Sequence, residues 1–333
     1  MKKIVVTGGL GFIGSNLAIN LVKLGHEVVI YDNFSTGTIE NISSYKKEFK
    51  IIKGDILDLE KLNKSLKNID LICHHAAQLE ITKGINNPVF DLNQNTIGSL
   101  NIINAGRKNN VRDYVIASSA AVYGNSNQKS LTEKTKPKPH WEYGVSKLAV
   151  ENYSEMYAEY EDLNFLNLRY SIVYGVNEWY GRVLTIFIKR VLEKKDLVIF
   201  GDGTATRDFV NVDDIVKLNV LAIDNGFTGN VVLNGSFGSD ISILDLAKKV
   251  KKISKENFDF DPKIINENLS EGKYSKYVKG RMRLPRELNK LRLDNKLANK
   301  LYNWKPKTTL EDGILSEMNW INNNFEKWNK LSY

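Results

Sequence analysis

The stretch VVTGGLGFIG, residues 5–14, constrains the fold more than any other part of the chain. It sets Gly8, Gly11 and Gly14 at three-residue spacing between a short apolar run, residues 3–7, and a helical pattern over 13–24 that Gly25 stops. In a strand–turn–helix unit, glycines at these places admit positive φ and let the backbone approach a diphosphate at the helix N-terminus. Residues 28–31 read as the next strand, and Asp32 closes it. A carboxylate there accepts the hydroxyls of an adenosine ribose and repels a 2′-phosphate, which favours NAD over NADP. The glycine spacing alone is weak evidence. Its context and Asp32 give it weight.

Strand-like runs follow at 50–53, 70–73, 114–117 and 165–169, with helical stretches around 57–66, 96–108 and 143–160. Alternating elements with near-continuous apolar strands predict an α/β fold, a parallel sheet covered on both faces. Ligands of such sheets bind beyond the strand C-termini, where Asp55 and the run Ala76-Ala77-Gln78 fall. His74 and His75 read as structural, because a metal site needs more ligands than the sequence offers, and no metal is expected. After residue 170 the pattern is less regular. A helix near 182–193, strands at 197–200 and 208–210, a helix from Asp213 and a last helix around 310–323 are expected. We expect residues 1–170, with a return segment near 208–235, to form the dinucleotide-binding domain. Residues 171–333 then form a smaller mixed domain for the substrate.

The formal net charge of +8 raises the question of a polyanionic partner. The basic clusters are short, as in KKVKK at 248–252, and each falls in a helical-looking stretch. They read as a solvated lysine-rich surface, with no nucleic-acid partner expected. No apolar run approaches the length of a bilayer span, so no membrane partner is expected. MKKIVVTGG offers only three apolar residues before its glycine turn, too few for a signal peptide. Cys73 is the single cysteine, which excludes an intrachain disulfide and makes the cytoplasm the expected compartment.

EYGVSK places Tyr143 and Lys147 four apart, one turn along one helix face, just after the strand that ends in Ser118-Ser119. With 15 tyrosines in a lysine-rich chain the spacing alone is poor evidence, and the position carries the argument. A tyrosine serves as a base only if its pKa falls from about 10 toward neutrality. A nearby ammonium favours the phenolate, as does the positive nicotinamide ring of NAD⁺. Ser119 is placed to hydrogen-bond the same substrate hydroxyl.

Together TGGLGFIG, YDNFSTG, GDILD, HHAAQ, NTIGSLNII, ASSAAVYG, YGVSK, LRYSIVYG, GDGTATRDFVNVDD and NWKPKTTLEDGI resemble the extended short-chain dehydrogenase/reductase family, the nucleotide-sugar epimerases and dehydratases. The resemblance runs over nearly the whole chain and implies a Rossmann-type doubly wound sheet with a smaller C-terminal substrate domain. It implies a catalytic triad of Ser119, Tyr143 and Lys147. It also implies NAD contacts from Phe12, Ile13, Asp32, Asn33, Ser35, Asp55, Ile56, Ala76, Gln78 and Asn95, besides the glycines, Tyr143 and Lys147. Arg207 matches the family's diphosphate-binding arginine, and the helices around 96–108 and 143–160 match a four-helix bundle that forms a homodimer.

The family's 4,6-dehydratases carry an Asp-Glu pair where this chain has Ala120-Ala121, and its glucuronate decarboxylases carry a glutamate at the second place. Two methyl groups neither protonate a leaving hydroxyl nor take a C–H proton. The expectation is an epimerase that moves one hydride and one hydroxyl proton in a pocket without carboxyl groups. A UDP-hexose 4-epimerase is foremost, on glucose/galactose, N-acetylhexosamine or uronic acid forms. A 4-ketoreductase or dehydrogenase, or inversion at another carbon, stays open; a non-catalytic NAD sensor is disfavoured because Tyr143 and Lys147 are kept. Around the substrate the pattern departs. Ile172 stands where epimerases have asparagine, Val176-Asn177 replaces Pro-Arg, and Leu284 displaces a late arginine. Arg182 and Arg286 are the candidate replacements, with Arg281 and Arg283 near the latter.

Overall fold

The computed structural model describes residues 1–179 and 181–330. Its first half alternates strand and helix: β1 (Lys3–Thr7), α1 (Phe12–Lys23), β2 (Glu27–Asp32), β3 (Lys50–Lys53), α2 (Leu59–Ser65) and β4 (Leu71–His74). Then come α3 (Ile81–Asn86), α4 (Pro88–Leu92), α5 (Gly98–Lys108), β5 (Asp113–Ser119), α6 (Glu142–Tyr160) and β6 (Asn164–Tyr170). A π-helical stretch, Asn93–Ile97, joins α4 to α5. The second half holds β7 (Ile172–Tyr174), α7 (Val183–Leu192), β8 (Leu197–Phe200), β9 (Thr206–Arg207), β10 (Phe209–Asn211), α8 (Val212–Asn225) and β11 (Asn230–Gly235). It ends with β12 (Ile241–Ser242), α9 (Ile243–Asn257), β13 (Ile264–Glu267), α10 (Lys296–Tyr302), α11 (Leu310–Asn323) and α12 (Phe325–Lys330).

Seven parallel strands form the central sheet in the order β11-β6-β5-β4-β1-β2-β3. Side chains alternate across it, as a pleated strand requires. Ile4 and Val6 of β1 pack with Leu17 and Leu21 of α1 and Val216 of α8 on one face. Val5 packs with Leu62 of α2, Ile102 of α5 and Val150 of α6 on the other. A third cluster, built on Leu184, Phe187, Leu246, Val250, Ile314 and Met318, makes the core of the smaller lobe. The strand order reverses between β1 and β4, which opens a crevice at their C-terminal ends.

Within 208–235, β11 joins the large sheet and β10 pairs with β7 in a separate two-stranded ladder. One element differs from the sequence expectation. Helix α11 is not the last: α12 follows it, anchored by Trp328, whose indole N–H donates to the Glu178 carbonyl at 2.7 Å. No helix among the described residues is long and apolar enough to cross a membrane.

Candidate active site

The crevice between β1 and β4 begins at the glycine loop. Gly8 has φ of +63°, and a Cβ there would sit 2.7 Å from the Ala76 nitrogen. A Cβ on Gly14 would strike the Gly8 carbonyl. Gly11 caps α1 without a side chain, and the first turn of α1 carries no acid. The N–H groups of that turn are therefore left for an anion, in the field of the helix dipole. At the end of β2, Asp32 accepts the Leu10 N–H at 3.0 Å and the Phe34 N–H at 2.8 Å. Burial raises its pKa, and these two bonds pull it back. This cradle fits the diphosphate and ribose of a dinucleotide.

Gly8, Gly11, Phe12, Ile13, Gly14, Asp32, Asn33, Ser35, Ile56 and Ala76 line one end of a continuous cleft, and Ser119, Tyr143, Lys147 and Arg182 line the other. Asp55, Gln78 and Asn95 do not line it. Asp55 accepts from the Asn33 amide at 2.9 Å, holding a lining residue from behind. Asn95 is fully buried, exchanges bonds with the Gln78 backbone at 2.9 and 3.0 Å, and with Gln78 donates to Asp91. Their polar groups are spent on fixing the wall. His74, also buried, bonds Thr7 at 2.7 Å and Ser99 at 2.9 Å, while His75 lies 3.2 Å from the Tyr170 hydroxyl.

Close approach of α6 to the 120–122 turn brings Tyr143 to Ser119. Gly144 makes it possible, since a Cβ there would lie 2.5 Å from the Ala121 carbonyl oxygen. Ser119 accepts the Ala121 N–H at 3.2 Å, which fixes its hydroxyl. Lys147 donates to the Ala117 carbonyl at 2.8 Å and stands 5.8 Å from the centre of the Tyr143 ring. Burial pushes the Tyr143 phenol up, against the Arg182 charge and a hydrogen bond with Ser119, which pull it down. The Arg182 guanidinium is thus a second cation acting on the phenol, beside the Lys147 ammonium expected from the sequence. Burial also lowers Lys147 to about 8, opposed by the Asp91 and Glu151 carboxylates.

Nor is the cleft free of carboxyl groups, because Glu178 joins Asp32 in lining it. Glu178 is 1% exposed, and burial raises it to about 7, with Arg182 at 3.7 Å opposing. Glu317 of α11, fully buried, is raised further by burial and by the Glu178 charge. Two carboxyls in one dry place retain a proton between them. Sequence reasoning missed this pair because Glu317 is remote in the chain.

Of the candidate substrate arginines, only Arg182 lies in the cleft. Arg207 donates to the Leu288 carbonyl at 2.7 Å and pairs with Glu287 at 3.4 Å, the residue that Arg283 also meets at 3.0 Å. Arg286 is 3.5 Å from Glu142 and borders a second depression with Asn125, His140 and Glu287. The cleft also takes in Asn177, marked in the sequence only as a departure from the family's arginine, and Trp179, Trp320 and Trp328, none of which carried a local signal in the sequence.

Residues 4–234 match the family model described as the NAD dependent epimerase/dehydratase family. The chain is 30% identical over 329 residues to the UDP-glucose 4-epimerase of Mycolicibacterium smegmatis, covering 96% of this chain and 98% of that one. It is 27% identical to the human dTDP-D-glucose 4,6-dehydratase, covering 98% and 90%. Its fold is similar to the crystal structure of a UDP-glucose 4-epimerase with UDP-glucose from Thermotoga maritima, with TM-score 0.85, 31% identity and coverage of 97% and 99%.

Proposed function

Since this chain belongs to the NAD-dependent epimerase/dehydratase family, we propose that it interconverts the C4 epimers of a UDP-hexose. One observation carries this reading. Ser119 and Tyr143 come together at the end of a dinucleotide cleft, beside a turn whose next two side chains are the methyl groups of Ala120 and Ala121. Bound NAD⁺ supplies the hydride acceptor, later the donor, and a positive ring charge that favours a phenolate beside it. Tyr143 takes the proton from the sugar 4-hydroxyl and returns it to O4 once the 4-keto sugar has turned its other face to the cofactor. Ser119 holds that oxygen in line. Lys147, with one donor spent on Ala117, has donors left for the nicotinamide ribose.

The absence of acids at 120 and 121 separates this reaction from dehydration. Glu178 does not replace them, because its carboxyl is buried against Glu317 and Arg182. Arg207, Arg283 and Arg286 gather around Glu287 and suit a nucleotide diphosphate, which would exchange partners with that carboxylate. Incubating the protein with UDP-, dTDP-, GDP- and CDP-sugars without added cofactor, and reading epimer ratios by proton NMR, tests the reading. Approach to one ratio from both epimers of a UDP-hexose is expected. Loss of the C6 hydroxyl, or NADH released in step with substrate, would remove it.

We also infer a homodimer through α5 and α6. Val89 and Leu92 of α4, Ile97 of the π-helical stretch that leads into α5, and Val145, Met156 and Tyr160 of α6 leave 40% or more of their surface exposed. Exposed apolar side chains gathered on neighbouring helices mark a protein contact. Met156→Glu should convert a dimer to a monomer in light scattering. A monomeric wild type at about 10 μM would end the inference.

A further inference from the structure

Residues 176–179 leave β7 and cross the first turns of α1. The Asn16 amide donates to the Val176 carbonyl at 2.9 Å. The Asn177 amide donates to the Ser15 hydroxyl at 3.1 Å and to the Asn41 carbonyl at 3.3 Å. From the other side, the Trp328 indole fastens the Glu178 carbonyl at 2.7 Å. Asn177 sits at φ of +71°, a conformation asparagine tolerates better than most residues. The segment is thus pinned to α1, to the 3-10 helix Ile39–Glu48 at Asn41 and to α12. Asn41, Asn177, Trp179 and Trp328 line the same cleft as the glycine loop.

We infer that residues 176–179 are a strap which holds the dinucleotide in place from one turnover to the next. A diphosphate at the N-terminus of α1 lies next to this crossing, and the cofactor cannot leave freely while three side chains tie the strap down. Both replacements for the family's Pro-Arg fall in it: Val176 lends its carbonyl to Asn16, and Asn177 makes two of the ties. The inference rests on the epimerase reading and deepens it. An enzyme that returns its hydride within each turnover has no need to exchange cofactor, whereas a net reductase must exchange it every cycle.

The full-length protein as purified is stripped of free nucleotide by gel filtration, and its bound NAD is measured after acid release. Exchange with excess radiolabelled NAD gives the off-rate. Asn177→Gly keeps the positive φ and removes both side-chain ties, and exchange should become about tenfold faster or more. Trp328→Phe, which keeps an aromatic ring but no N–H, should move the rate the same way by a smaller factor. Asn225→Ala, on the exposed end of α8, should leave it unchanged. Exchange at the wild-type rate in both strap variants would overturn the strap, as would a wild type that exchanges its NAD within seconds. The function reading is scored separately, by whether the wild type interconverts epimers without added NAD. A strap that fails in an enzyme that passes leaves the epimerase standing.

Discussion

Tyr143→Phe should lower kcat by about a thousandfold while the protein still carries its NAD. The substitution deletes one hydroxyl and keeps the ring, so the packing of α6 against the 120–122 turn survives. What goes is the group that accepts the sugar proton. Epimer interconversion by NMR gives the rate, and NAD released from the purified variant gives occupancy. A variant within about fivefold of wild type would show that another group is the base. The pH profile adds a second reading. Burial holds the phenol up, so the base form grows as pH rises. Burial also holds Lys147 down to about 8, so its ammonium is lost above that point. The wild-type rate should therefore climb through neutrality and turn over near pH 8, and the residual rate of Tyr143→Phe should lack the climb.

What could be read from the sequence followed from how local each feature is. The glycine loop, Asp32 and the Tyr143–Lys147 turn are each set by a few consecutive residues in one strand–turn–helix context, and each lies in the cleft. Arg207 shows the limit. Its segment is recognisable, but its guanidinium answers to Glu287 and the Leu288 carbonyl, residues far along the chain. The same holds for Asn95, whose amide is spent entirely on Gln78 and Asp91. The Glu178–Glu317 pair and the Asn177 strap exist only because α11, α12 and α1 meet around one loop. Periodicity reports which face of an element is apolar, and it does not report which polar tip finds which partner.

Arg169→Met should destabilise the fold by about 3–5 kcal/mol, measured by urea unfolding with NAD saturating. Arg169 and Glu151 are 5% and 4% exposed and joined by three hydrogen bonds, of 2.6, 3.0 and 3.2 Å. Arg169 also donates to Tyr123 at 2.9 Å, and Tyr123 donates to Asn234 of β11 at 2.7 Å. Ser118, next to Ser119, donates to the same Glu151 carboxylate. The network therefore ties α6, which bears Tyr143 and Lys147, to β5, β6 and β11. Removing the guanidinium leaves a buried carboxylate with only a serine to answer it. Arg169→Met with Glu151→Leu should regain most of the loss, since no charge is then stranded. If the single variant lost less than about 1 kcal/mol and the double variant were no better, the pair would be dispensable to stability. The placing of Tyr143 beside Ser119 would then rest on the close Gly144–Ala121 approach and on bonds such as that from Lys147 to the Ala117 carbonyl.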